Sequence, residues 1–251
     1  MERFNGKTAI ITGGGGDIAA STCQRLLEEG ANIVLTDFSE ENLRLAQNNM
    51  KELGYGDKRV KIKTGDVRSL QDCIDVAEFT KKEFGRVDIM IATAGILRHY
   101  PLDVLTEKDW QDVIDIDLTG VFHSAKSVVS IMKEQMYGRM VFISSIGGRT
   151  GRPGVGANYA AAKAGIVGMT QNMAYELGPW NITVNSVAPG PIKGRMFGSL
   201  PQETIKRLEN GTRIQRLGTT GEIAAAIAYL ASDDASWTTG EILDVNGGLQ
   251  Y

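Results

Sequence analysis

The chain has 251 residues, 42% hydrophobic and 23% charged, with a formal net charge of −3. That is enough to bury a sizeable core as one large α/β domain, and the balance gives no nucleic-acid footprint. No apolar run reaches the roughly 18 residues of a membrane span, MERFNGK has no apolar signal region, and Cys23, Cys73, His99 and His123 lack disulfide or metal spacing. A cytoplasmic protein without a metal is expected.

Lys7–Thr12 (KTAIIT) reads as a short buried strand, followed by the glycines Gly13–Gly16 and an apolar-periodic helix from Ile18 to Leu27, with Gly30 after it. Strand, glycine turn and helix open a dinucleotide-binding unit. The glycines let the backbone approach a pyrophosphate, and the helix start offers free N–H groups and a positive dipole end. Gly13, Asp17 and Ile18 are the candidate contacts at this turn, with Asp17 placed to cap the helix. Ala31–Thr36 reads as the next parallel strand, and Asp37 just past it is placed to accept hydrogen bonds from an adenosine ribose diol. No Arg or Lys in Gly13–Gly16 or immediately after Asp37 would offset a 2′-phosphate, which favours NAD over NADP.

Further strands are expected at Val60–Thr64, Val87–Ala92, Arg139–Ile143, Ile182–Ala188 and Glu241–Val245. Helices are expected at Glu40–Leu53, Leu70–Phe84, Glu107–Met136, Asn158–Leu177 and Gly221–Ser232, the third begun by a capping box of Thr106 and Asp109. This alternation predicts a single-domain, doubly wound, Rossmann-type parallel sheet of about seven strands with helices on both faces. Ligands then sit beyond the carboxyl ends of the strands, where Asp37, Asp66, Ala92, Ser145 and Pro189 fall.

Tyr159 and Lys163 lie four residues apart in NYAAAKAG, on one face of the expected helix. A free phenol has a pKa of roughly 10. A fixed positive charge beside it favours the phenolate, so such a tyrosine can exchange a proton with an alcohol or carbonyl near neutral pH.

With these parts in order, the chain resembles the short-chain dehydrogenase/reductase family over nearly its whole length. The resemblance rests on TGGGGDIA (Thr12–Ala19), Asp66-Val67, ATAG (Ala92–Gly95), ISS (Ile143–Ser145), YAAAK (Tyr159–Lys163), NSVAPGPI (Asn185–Ile192) and LDVNGG (Leu243–Gly248). It implies Tyr159 as general acid/base, Lys163 as the residue that lowers the tyrosine pKa and binds the nicotinamide ribose, and Ser145 as the holder of the substrate oxygen. Ser144 and Ser145 would face opposite ways in a strand, so only one can reach the site. The resemblance further places Asp66, Val67, Ala92, Gly95, Pro189 and Ile192 along the cofactor. It also implies a tetramer built on the two long helices.

The sequence departs from the family pattern at four places. Asp17 and Ala19 replace the second and third glycines of the turn, and Ala92-Thr93 replaces an Asn-Asn pair. Asp117 replaces an asparagine of the proton relay, and Gly194 stands where a threonine is usual. The segment 193–213 breaks the α/β rhythm, and the resemblance makes it a substrate lid with apolar Met196, Phe197 and Leu200. Arg149, Arg152, Lys193 and Arg195 border the expected substrate region and suit an anionic group. Arg98 and His99 lie within reach of its mouth.

The expected activity is NAD-dependent oxidation of a secondary alcohol or hemiacetal of a sugar, polyol or hydroxy acid. A ketone or 3-oxoacyl reductase is the alternative among enzymes, and a non-catalytic NAD-binding regulator the alternative of another class.

Overall fold

A computed structural model describes residues 2–152, 154–195 and 202–249. The chain alternates strand and helix. It begins β1 (Thr8–Thr12), α1 (Asp17–Glu28), β2 (Asn32–Asp37), α2 (Glu40–Glu52), β3 (Val60–Thr64), α3 (Leu70–Phe84) and β4 (Ile89–Ala92). It continues α4 (Glu107–Ile114), α5 (Gly120–Gln135), β5 (Gly138–Ile143), α6 (Ala157–Leu177), β6 (Ile182–Pro189), α7 (Gln202–Gly211), α8 (Thr220–Ala231) and β7 (Ile242–Val245). The seven strands form one sheet in the order β3-β2-β1-β4-β5-β6-β7, and every pairing is parallel. The order reverses between β1 and β4, which opens a crevice at their carboxyl ends.

Both faces of the sheet are covered, and the pleat assigns side chains to each. Ala9, Ile11, Ile33, Leu35, Ile89 and Ile91 point into one core; Ile10, Val34 and Met90 point into the other. That two-sided burial explains why these strands read as continuous apolar runs. Among the described residues no helix is long and apolar enough to cross a membrane.

Three expectations change. The helix predicted over Glu107–Met136 keeps its path but is interrupted by a π turn at Asp115–Thr119, with helical backbone on both sides. One wider turn shifts the apolar stripe by a single residue, a slip that hydrophobic spacing in a short segment does not resolve. The segment 193–213, for which no helix is expected, contains α7; Met196, Phe197 and Leu200 lie outside the described residues. The capping box at Thr106 is half formed: the Thr106 Oγ1 accepts the Asp109 N–H at 3.1 Å, but Thr106 Oγ1 also donates to the Asp109 carboxylate at 2.6 Å. The complete box belongs to α8, between Thr219 and Glu222.

Candidate active site

A groove of about 660 Å³ runs across the carboxyl ends of β1, β2 and β4. Gly13, Asp17, Ile18, Asp37, Asp66 and Val67 line it, together with Gly95 and Ile192. Ala92 and Pro189 end their strands as buried residues; the neighbouring Thr93 and Ala94 line the groove in place of Ala92.

The glycine turn is shaped by close approach. Gly13 has φ +62°, and a Cβ there would lie 2.8 Å from Ala94 Cα, so no other residue fits without displacing backbone. Gly16 precedes α1 with extended backbone and no side-chain cap. The expectation that Asp17 caps α1 is therefore corrected. Its carboxylate turns instead to Arg195, accepting from the Arg195 backbone N–H and from Nε, each at 2.6 Å. Arg195 Nη2 also donates to the Gly15 carbonyl. Arg195 thus neutralises Asp17 beside the turn.

Asp37 sits at the far end of the groove. Its two carboxylate oxygens accept from the Gly15 N–H at 3.1 Å and the Ser39 N–H at 3.0 Å, and each oxygen retains a further acceptor site. The cations lining the groove are already matched with acids. Arg68 meets Asp66 at 2.5 Å, Lys108 meets Asp112 at 2.7 Å, Arg195 meets Asp17, and Arg98 lies 3.6 and 3.7 Å from Asp109 and Asp112. The free N–H groups of α1 and the close backbone approach at Gly13 fit a dinucleotide.

The proton site lies where β5, α6 and the π turn meet. Lys163 is buried, its Nζ donating to the Ile143 carbonyl at 3.1 Å and lying 3.0 Å from Asp117 Oδ2. Asp117 is fully buried, and its Oδ1 accepts the Ile96 N–H at 2.8 Å. Burial works against the Lys163 charge, but the Asp117 carboxylate and Tyr159 outweigh it and the lysine pKa is raised. Gly95 covers this pair, since a Cβ there would meet Asp117 Oδ2 at 2.9 Å. Lys163 Nζ is 5.5 Å from the Tyr159 ring centroid.

The two serines divide as strand geometry requires. Ser144 is buried and donates to the Lys163 carbonyl at 2.9 Å. Ser145 Oγ accepts the Gly147 N–H at 3.0 Å, which leaves its own O–H free to donate. A Cβ on Gly147 would lie 3.5 Å from Ser145 Oγ and 3.6 Å from a Tyr159 ring carbon, so the serine and the tyrosine flank one spot. His99 packs edge-on against Tyr159, with ring centroids 5.1 Å apart. Its Nδ1 accepts the Gly156 N–H at 3.2 Å, and burial lowers its pKa, keeping the imidazole neutral.

The four cations expected around the substrate have separate surroundings. Arg195 is committed to Asp17 and Gly15, Arg149 lies 3.5 Å from Asp244, and Lys193 is exposed. Arg152 keeps a buried Nη1 without a hydrogen-bond partner among the described residues.

Residues 15–250 match the sequence model of a family described as "Enoyl-(Acyl carrier protein) reductase". The chain belongs to the short-chain dehydrogenase/reductase family, whose members are nicotinamide-dependent oxidoreductases. It is 37% identical to the 3-oxoacyl-[acyl-carrier-protein] reductase of Thermotoga maritima, over 98% of this chain and 99% of that protein. It is 38% identical to the 3-oxoacyl-[acyl-carrier-protein] reductase of Escherichia coli, over 98% of both. It is also 37% identical to an acetoacetyl-CoA reductase of Acinetobacter, over 97% of both. Among solved structures it is similar to levodione reductase, with a TM-score of 0.89 and 34% identity over 98% of both chains. These names favour the carbonyl-reducing alternative over sugar or polyol oxidation.

Proposed function

We propose that the protein is an NADH-dependent reductase of ketones, with 3-oxoacyl thioesters as the substrate class. The observation that carries this reading is the buried Lys163–Asp117 pair behind Tyr159, with the Ser145 hydroxyl free beside it. The names of full-length relatives supply the substrate class, and the Asp37 carboxylate supplies the choice of cofactor.

The bound nicotinamide supplies the hydride. Everything else falls to this chain. Ser145 donates a hydrogen bond to the carbonyl oxygen and fixes its position. Tyr159 delivers the phenolic proton to that oxygen as negative charge develops on it, the usual role of a positioned general acid. Lys163 stabilises the phenolate left behind, and Asp117 holds the ammonium in place. Asp37 would accept hydrogen bonds from the ribose hydroxyls of the cofactor, and the α1 N-terminus would meet its pyrophosphate.

A second reading, oxidation of a secondary alcohol or hemiacetal, draws support from the same Asp37 preference for a cofactor without a 2′-phosphate. One assay separates the readings. Purified protein with NADH and acetoacetyl-CoA should consume NADH, while NAD with sugars, polyols and hydroxy acids, anionic and neutral, should turn over slowly. Faster turnover in the second panel would reverse the assignment, and no turnover in either would leave a nucleotide-binding regulator.

A further inference from the structure

We propose that Asp117 is a positioning residue of a particular kind: it compensates the charge of Lys163 and so extends the pH range over which Tyr159 stays protonated as a proton donor. This rests on the reading of Tyr159 given above.

The geometry is closed on every side. Asp117 is fully buried on the π turn, with Oδ1 fixed by the Ile96 N–H at 2.8 Å and Oδ2 facing Lys163 Nζ at 3.0 Å. α6 contributes Tyr159 and Lys163, the loop after β4 contributes His99, and the end of β5 contributes the Ser145 hydroxyl. His99 is held neutral by burial. The cluster therefore contains one cation and one anion besides the phenol.

A lone buried ammonium beside a phenol would lower the phenol pKa strongly, because nothing screens it. Here the carboxylate lies 3.0 Å from that ammonium. What reaches the phenol is closer to the field of a dipole than of a full charge, and this weaker field leaves the phenol more weakly acidic. With a neutral amide in place of this carboxylate, the ammonium would act alone. A tyrosine that remains protonated to higher pH can donate to a carbonyl over a wider range. It needs higher pH before its phenolate can accept a proton from an alcohol.

Asp117→Asn removes the charge and leaves an Oδ1 acceptor for Ile96. Ultraviolet phenolate titration of this variant and of the wild type, each corrected by its Tyr159→Phe counterpart, reads the phenol directly. The Tyr159 midpoint should fall by roughly one pH unit or more in Asp117→Asn. The alkaline limb of kcat/KM for reduction and the acidic limb for oxidation should move to lower pH together. Asp117→Ser carries the same change of charge and should move the midpoint the same way, should the first variant not fold. An unchanged or raised midpoint would overturn the proposal. Failure of both variants to fold would assign Asp117 a structural role and overturn it as well. The titration needs no substrate. It can fail while the reductase reading stands, and absence of carbonyl turnover would sink that reading without touching the titration.

Discussion

The groove and the proton site beside it, which meet at Gly95, form two ends made of different materials. At the dinucleotide end, recognition falls to backbone and to carboxylates that keep their charge: a glycine turn too tight for a Cβ at Gly13, an uncapped helix start at Gly16, and Asp37, held by two main-chain N–H groups. At the chemical end the groups are buried, charged side chains, Lys163 and Asp117, with Tyr159 and Ser145 at the opening. Groups that keep their charge throughout a reaction recognise a ligand, and they act on affinity. Buried charges act on protonation, and hence on rate. Substitutions at the two ends should therefore separate into binding effects and rate effects.

The largest expected effect is at the chemical end. Tyr159→Phe removes the transferable proton and keeps the ring against His99. Turnover should fall about 10²- to 10⁴-fold, the usual contribution of general acid–base catalysis, while the Kd for the cofactor changes little. Near-normal turnover would end the mechanism. A parallel loss of cofactor binding would show that the two ends are not separable.

At the dinucleotide end, Asp37→Ser combined with Phe38→Arg should act on affinity alone. Phe38 is 74% exposed at the groove, so an Arg there is tolerated and reaches solvent. The change removes a carboxylate and supplies a cation for a 2′-phosphate. A charge-assisted hydrogen bond contributes about 1.5–3 kcal/mol, so the ratio of the two cofactors' KM values should shift by roughly 10- to 100-fold toward NADP. Wild-type preference for NADP would show that Asp37 does not meet the ribose.

A smaller effect is expected at Arg195. Its removal by Arg195→Ala exposes the uncompensated Asp17 carboxylate to the pyrophosphate. The pair is solvent-exposed, so its worth is modest. Cofactor Kd should rise roughly 3- to 10-fold at low salt, and less at high salt as screening takes over. The double variant Asp17→Asn with Arg195→Ala should recover most of the loss. No recovery would mean that Arg195 acts through Gly15 rather than through charge.

The strands were legible because two-sided burial makes each a short apolar run between turn residues. The glycine turn and the Tyr159–Lys163 pair were legible because their spacing is local. What sequence hid depends on distance or on subtle backbone geometry. Asp17 reads as a helix cap until Arg195, 178 positions away, takes its carboxylate. His99 shows no partner pattern, because its contact with Tyr159 is made across the fold. QETIKRLENG has helix-forming composition, but it lies in a segment that breaks the strand–helix alternation, so the pattern that marks the other helices is missing around α7. The π turn bearing Asp117 is invisible to periodicity, although an acid within an otherwise amphipathic helix was a usable signal.

The smallest effect tests why α1 lacks a cap. α1 and α8 pack together, joined by a 2.7 Å hydrogen bond from Ser21 Oγ to Thr220 Oγ1, yet they begin differently. Thr219 caps α8 by accepting the Glu222 N–H, and the Glu222 side chain returns to the Thr219 N–H at 2.8 Å. Arg216 holds that carboxylate as well, and its hydrogen bond depresses the Glu222 pKa to about 2. The Glu222 N–H of α8 is thus capped by a side chain, whereas no side chain caps the first N–H groups of α1 at the groove. Thr219→Ala should cost about 1 kcal/mol of stability, read as a lower denaturant midpoint at unchanged slope. Cofactor Kd should stay constant, because no group at the groove has changed charge. The depressed Glu222 value implies that its contribution is present above the ordinary carboxylate range and is lost only as pH falls toward about 2. Stability loss in Thr219→Ala should then be similar at pH 6 and pH 8. A cofactor effect comparable with that of Arg195→Ala would mean that α8 transmits its own fraying to α1, and that the division between binding and stability at these two helix starts does not hold.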